Sequence, residues 1–183
     1  GAATAISLQQ GARNFALARQ ALGNALWLLG LVGALAPLLL HHWHHDILLA
    51  LGIVPGTETW QQASDYLTWI GGGTLLLASN LAVPYLLRND GRPRLAMVLV
   101  SGGALLNILL NYIMVGRLGL GLVGTAQATL ISEGVVSLLG LGYFFTSRAR
   151  LRLECRQMVP SFPAMPNLLF TGLPSLIAQF NLG

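Results

Sequence analysis

Apolar residues in this chain gather into blocks about as long as a helix needs to cross a bilayer, roughly 20 residues. The first full block runs over 20–40, QALGNALWLLGLVGALAPLLL. The second runs over 64–87, from Ser64 through Gly71-Gly72-Gly73 to Leu87. The third is 95–115 and the fourth 120–146, and a fifth begins near Asn167. The opening GAATAISLQQ reads as the tail of an earlier helix. Segment 44–53, HHDILLALGI, is too short to span. It is expected to lie along the outer interface as a short helix, with Trp43 and Trp60 as anchors. The fold expected is all-α, a polytopic transmembrane helical bundle.

Charge adds a topology. All ten basic residues are arginines, and nine fall in three clusters: Arg13 and Arg19; Arg88, Arg92 and Arg94; Arg148, Arg150, Arg152 and Arg156. Only Arg117 lies in a connection of the other parity. Basic residues accumulate on the cytoplasmic side, so span 20–40 is expected to run from inside to outside, with each later span alternating.

Composition narrows the class further. The chain is 54% hydrophobic and 9% charged, where a soluble domain carries roughly 25% charged residues. The net charge of +4 does not make a nucleic-acid surface, because the arginines sit at the ends of apolar runs and form no continuous basic face. One cysteine, Cys155, permits no internal disulfide and no cysteine-based metal site. Gly1 in place of a methionine and the end at Gly183 within an apolar run make the chain read as a fragment. No signal-peptide pattern opens it. No GxxxxGK[ST] loop, Ser-His-Asp set or HExxH pattern occurs, so neither an ATPase nor another enzyme is expected.

Prolines and glycines recur inside the spans, among them Pro37, Pro84, Gly103 and Gly134. Membrane bundles use such residues for kinks and close helix packing.

Polar residues inside the spans are the functional candidates. Asn107 and Asn111 are four apart and share a helix face with Gly103. Thr125, Thr129 and Glu133 form a second stripe in the next span. The short turn at 116–119 makes the two spans an antiparallel hairpin. Counting about 1.5 Å per residue from that turn places Asn107 and Thr129 both on the order of 14 Å from the outer end. By the same count Asn111 matches Thr125, and Gly103 matches Glu133. Oxygens of Asn, Thr and Glu suit a hard cation or a proton-linked network. They equally suit interhelical hydrogen bonds worth about 0.6 kcal/mol each. Glu133 is the sharper case, since a mid-membrane carboxylate costs several kcal/mol unless protonated or paired.

His41-His42-Trp43-His44-His45 places two histidines at i, i+4, with Asp46 beside them. Two ligands make a weak zinc site, and His and Trp are also good interface residues, so no metal is expected.

Several segments together resemble the multidrug and toxic compound extrusion (MATE) family. The family's R-x-D-G-x-P turn corresponds to Arg88–Pro93, its N-I-x-L-(D/N) to Asn107–Asn111, and its G-x-G-x-x-G-x-A-x-A-T to Gly119–Thr129. SLQQGARNFALARQALGNAL resembles the loop after the family's second helix, and FTGLPSLIAQF the start of its seventh. The resemblance implies part of a twelve-helix transporter. Residues 1–146 would be a partial amino-terminal lobe, 147–165 the cytoplasmic inter-lobe linker, and 166–183 the start of helix 7. It implies a secondary antiporter exporting organic cations or drugs in exchange for Na⁺ or H⁺. That protein would sit multi-pass in a bacterial inner membrane, a monomer once full length, with no cofactor beyond the coupling ion.

The family's amino-terminal cation site uses an acid on helix 1, an Asn and an acid on helix 5, and a Thr on helix 6. Asn107, Asn111 and Thr129 match the last three, and Glu133 joins them as a candidate proton carrier. Here the helix 5 acid is Asn111, a neutral amide that cannot carry a proton. The alternatives are a lipid-linked oligosaccharide flippase of the same superfamily, which would call for a cationic cavity, and a non-transporting membrane scaffold.

Overall fold

A computed structural model describes residues 2–151. The fifth apolar block and residues 152–165 of the expected linker lie outside the described residues. Every regular element among the described residues is helical. α1 spans Ala2–Gly11 and α2 Phe15–Ala50; α3 spans Glu58–Gly72 and α4 Thr74–Asn89; α5 spans Pro93–Asn111 and α6 Gly121–Tyr143.

α1 and α2 meet at a tight corner. Arg13 takes a positive φ of 57°, and the Asn14 side chain caps α2 by accepting from the Leu17 N–H at 3.3 Å. α2 is 36 residues long, about 54 Å at 1.5 Å per residue. That exceeds the ~30 Å hydrocarbon layer. The reason corrects an expectation: 44–50 are the last turns of α2 and not a separate interface helix. Histidine, tryptophan and aspartate mark the depth where water begins, but they do not stop a helix. The stop comes at Gly52, with φ +74°, and Pro55 after it.

The second apolar block is two helices. α3 and α4 meet at Gly73 with a bend of 53°. A side chain at Gly73 would overlap Leu130 of α6, so the glycine lets α6 press into the elbow. With the bent pair counted as one crossing, the described residues hold four crossings by length and composition.

Between α4 and α5 the chain turns through Gly91, at φ +80°, and restarts on Pro93 at the first helical position. At the opposite end α5 widens into a π-helical turn over Tyr112–Arg117 before the reversal into α6.

α6 packs against α3, α4 and α5. Its buried face is built of small residues, including Gly124, Ala126, Ala128, Ser132, Gly134 and Gly140, as close packing without a hydrophobic drive requires. A side chain at Gly140 would overlap Val83 of α4, and one at Gly103 would overlap Val136. Large apolar residues such as Leu81, Met97, Leu105 and Leu138 point outward, as lipid-facing positions do.

A cluster of buried apolar residues lies at one end of the bundle, around Ile6, Leu22, Leu87, Phe144 and Leu151. Arg13, Arg88, Arg92, Arg94, Arg148 and Arg150 flank this end. Two links tie it across the sequence: Ser7 Oγ donates to Asn89 Oδ1 at 3.2 Å, and Leu151 N–H donates to Asp90 Oδ1 at 2.7 Å. Arg117 lies at the far end of the α5–α6 hairpin, so the geometry keeps the parity read from the arginines.

Candidate functional site

The two polar stripes of α5 and α6 face one another. Asn107 Nδ2 donates to Thr129 Oγ1 and to Ser132 Oγ, each at 3.3 Å. Ser132 Oγ in turn donates to the Thr129 carbonyl at 2.8 Å. Asn107 therefore has both amide hydrogens placed. Its Oδ1 accepts from Asn111 Nδ2 at 3.2 Å.

Asn111 stays on its own helix. Its amide also donates to the Asn107 carbonyl at 2.9 Å, one turn back, the local bond that short polar side chains favour. Thr125 does the same, its hydroxyl 3.4 Å from the Gly121 carbonyl. The depth match of Asn111 with Thr125 therefore makes no cross-helix bond, while that of Asn107 with Thr129 does.

Beside this network lies a cavity of about 310 Å³, lined by Asn80, Val100, Gly103, Ala104, Asn107, Thr129, Ser132, Glu133 and Val136. The close approach of α5 and α6 at Gly103 brings the two helices together at the level of Glu133. Two oxygens are buried without a hydrogen-bond partner among the described residues: Glu133 Oε2 and Asn80 Oδ1. Both belong to residues lining this cavity. Buried polar atoms are rarely left bare. A chamber edged by a carboxylate, two carboxamides and two hydroxyls offers only oxygens as acceptors, the donor set of a hard cation or of a proton shared between oxygens.

Asn80 and Ser132 were missed from sequence, though signals for both exist. Asn80 is a lone amide in the apolar run LLLASNLAV of α4, open to the same reasoning that singled out Asn107. Ser132 follows Thr129 by three residues and so shares its face. Asn111 is the reverse case: it does not line the cavity and instead holds Asn107 in place.

The histidines divide among separate contacts. His44 Nε2 lies 3.0 Å from Ser64 Oγ of α3. His45 packs edge-on against Trp60 with ring centroids 5.0 Å apart. His41 and His44 line a cavity of about 360 Å³ between α2 and α3.

A second polar cluster closes the arginine-flanked end. Asp90 is 1% exposed. Tyr143 Oη donates to its Oδ2 at 2.7 Å, the Arg150 N–H to Oδ2 at 3.2 Å, and the Leu151 N–H to Oδ1 at 2.7 Å. Arg92 Nε donates to the Tyr143 oxygen at 3.2 Å. This carboxylate ties the α4–α5 turn to the segment that leaves α6.

Comparison with known proteins places this arrangement. The MatE family model matches residues 1–113. The chain is 25% identical over 186 aligned positions to the multidrug export protein MepA of Staphylococcus haemolyticus, covering all of this chain and 40% of that protein. It is 32% identical over 91 positions to the probable multidrug resistance protein NorM of Photorhabdus laumondii, covering 48% of this chain and 20% of the relative. Among solved structures it superposes on an inward-facing MATE family transporter of the MOP superfamily with a TM-score of 0.85, at 28% identity over 95% of this chain and 39% of that one. An outward-facing one gives 0.87 at 28% identity, over 98% and 40%. The chain thus spans about two-fifths of the length of the relatives it matches end to end.

Proposed function

The chain belongs to the MatE family, and on that premise we propose that it forms most of the amino-terminal lobe of a secondary antiporter that exports organic cations or drugs in exchange for Na⁺ or H⁺. In this reading residues 1–146 belong to the lobe, 147–165 to a cytoplasmic linker, and 166–183 open the second lobe. Glu133, Asn107 and Thr129 form the coupling site, with Asn80 and Ser132 completing the oxygen set. Asn111 acts through Asn107 as a positioning residue. The observation that carries the reading is the mid-membrane cavity with two bare buried oxygens, one of them a carboxylate. Packing alone leaves no reason to keep such atoms in a bilayer, where an ionisable group costs several kcal/mol.

The near-equal likeness to inward- and outward-facing relatives supports a lobe that moves largely as one body, the usual way such transporters alternate access. An ion bound in the cavity would bias that motion only through its different affinity for the two states.

The test is drug-driven cation exchange in proteoliposomes with the full-length protein, comparing wild type with Asn107→Ala and Glu133→Gln. The expected result is loss of exchange in variants that still fold, and its response to imposed Na⁺ or H⁺ gradients names the ion. Unchanged exchange in both variants places coupling elsewhere and leaves the cluster as packing.

A further inference from the structure

The inner end of α5 carries a second pocket that the transport reading does not use. It holds about 560 Å³ and is lined by Arg92, Arg94 and Arg148 together with Tyr143, Leu95 and Val98. We propose that this pocket binds the headgroup of an anionic phospholipid of the cytoplasmic leaflet, with an acyl chain descending along α5.

Three features support it. First, three arginines line one concavity, and the carboxylate nearest in sequence is already occupied. Asp90 receives Tyr143 and the backbone N–H groups of Arg150 and Leu151. Arg92 is steadied through its Nε by Tyr143 at 3.2 Å, which leaves its terminal nitrogens for another acceptor. Arginine's planar fork suits a phosphate.

Second, the pocket is amphiphilic. Leu95 and Val98 form its wall, and Val98 is 67% exposed. A free phosphate ion gains nothing from such a wall, whereas a lipid gains from both halves.

Third, the place is right. The cluster lies at the inner end of the bundle, where the leaflet is anionic and basic pockets between helices take lipid headgroups.

The test uses the full-length protein in a neutral detergent, with bound lipid counted by native mass spectrometry. Dioleoylphosphatidylglycerol is titrated against dioleoylphosphatidylcholine, and inorganic phosphate serves as competitor. Each arginine near an anionic surface is worth about 1 kcal/mol, roughly a fivefold change in binding. Wild type should therefore favour phosphatidylglycerol, and the pair Arg94→Gln with Arg148→Gln should weaken it about 25-fold while phosphatidylcholine is unaffected. Arg94→Lys with Arg148→Lys should restore most of the preference.

Should the glutamine pair fail to fold, a photoactivatable phosphatidylglycerol decides on wild type alone. It should label α5 around Leu95–Val98. Equal retention of the two lipids, full displacement by inorganic phosphate, a preference that survives the glutamine pair, or labelling that avoids this stretch each overturns the proposal.

Discussion

Asp90 and Glu133 are both carboxylates enclosed by helices, and the bundle treats them in opposite ways. Asp90 accepts from a tyrosine hydroxyl and two backbone N–H groups. Glu133 keeps Oε2 buried and bare, beside a cavity that also holds the bare oxygen of Asn80. A buried polar group is tolerable when its bonds are made and costly when they are not. The first pattern belongs to a joint that stays made. On the proposed reading, the second belongs to a place where a coupling ion enters and leaves.

Removing the satisfied carboxylate should give the largest stability change. Asp90→Ala leaves one buried and one partly buried backbone N–H group and a tyrosine without their acceptor. Each lost bond to a charged group costs about 1.5–3 kcal/mol, so we expect a loss of at least ~3 kcal/mol in thermal unfolding in detergent. A loss below ~1 kcal/mol would mean that Asp90 is not the joint its bonds imply.

Gly103→Val acts on the other region by volume alone. Its side chain would enter the space of Val136 and push α5 from α6 beside the cavity. Overpacking costs about 1–3 kcal/mol, and exchange should fall with it because Asn107 leaves Thr129. Normal exchange in a folded variant would separate the cavity from coupling. Tyr143→Phe returns to the joint and trims it. It removes one donor from Asp90 and one acceptor from Arg92, for about 1.5 kcal/mol, read by the same unfolding measurement. A value equal to that of Asp90→Ala would show that the tyrosine, and not the backbone pair, carries the joint.

These two regions differed in how readily the sequence disclosed them. The spans and their alternation between the two ends of the bundle were legible because apolar length and arginine position are each strong, local signals. Asn107 and Thr129 were legible because a residue count gives depth. Rotation about the helix axis is not a count, which is why Asn111 and Thr125 were matched in depth yet bond within their own helices. The break at Gly73 escaped because average hydropathy runs smoothly across it, and only the approach of Leu130 shows why a glycine is needed there. Asp90 escaped for another reason. An aspartate followed by glycine reads as ordinary turn chemistry, and its partners at 143, 150 and 151 are remote in sequence.

The smallest expected stability change tests the comparison most directly. Glu133→Gln keeps the shape of the side chain and removes its capacity for charge. Because Oε2 has no partner to lose, the swap should leave stability within ~0.5 kcal/mol of wild type, or raise it if the native carboxylate is ionised at that depth. Asp90→Asn is the matched control, since an amide there turns an NH₂ toward N–H donors and should cost about 1.5–3 kcal/mol. A stable but uncoupled Glu133→Gln, beside a destabilised Asp90→Asn, is the outcome that assigns one carboxylate to exchange and the other to architecture. Equal destabilisation of the two would mean that Glu133 also holds the bundle together, and the cavity's bare oxygens would then lose their claim to an ion.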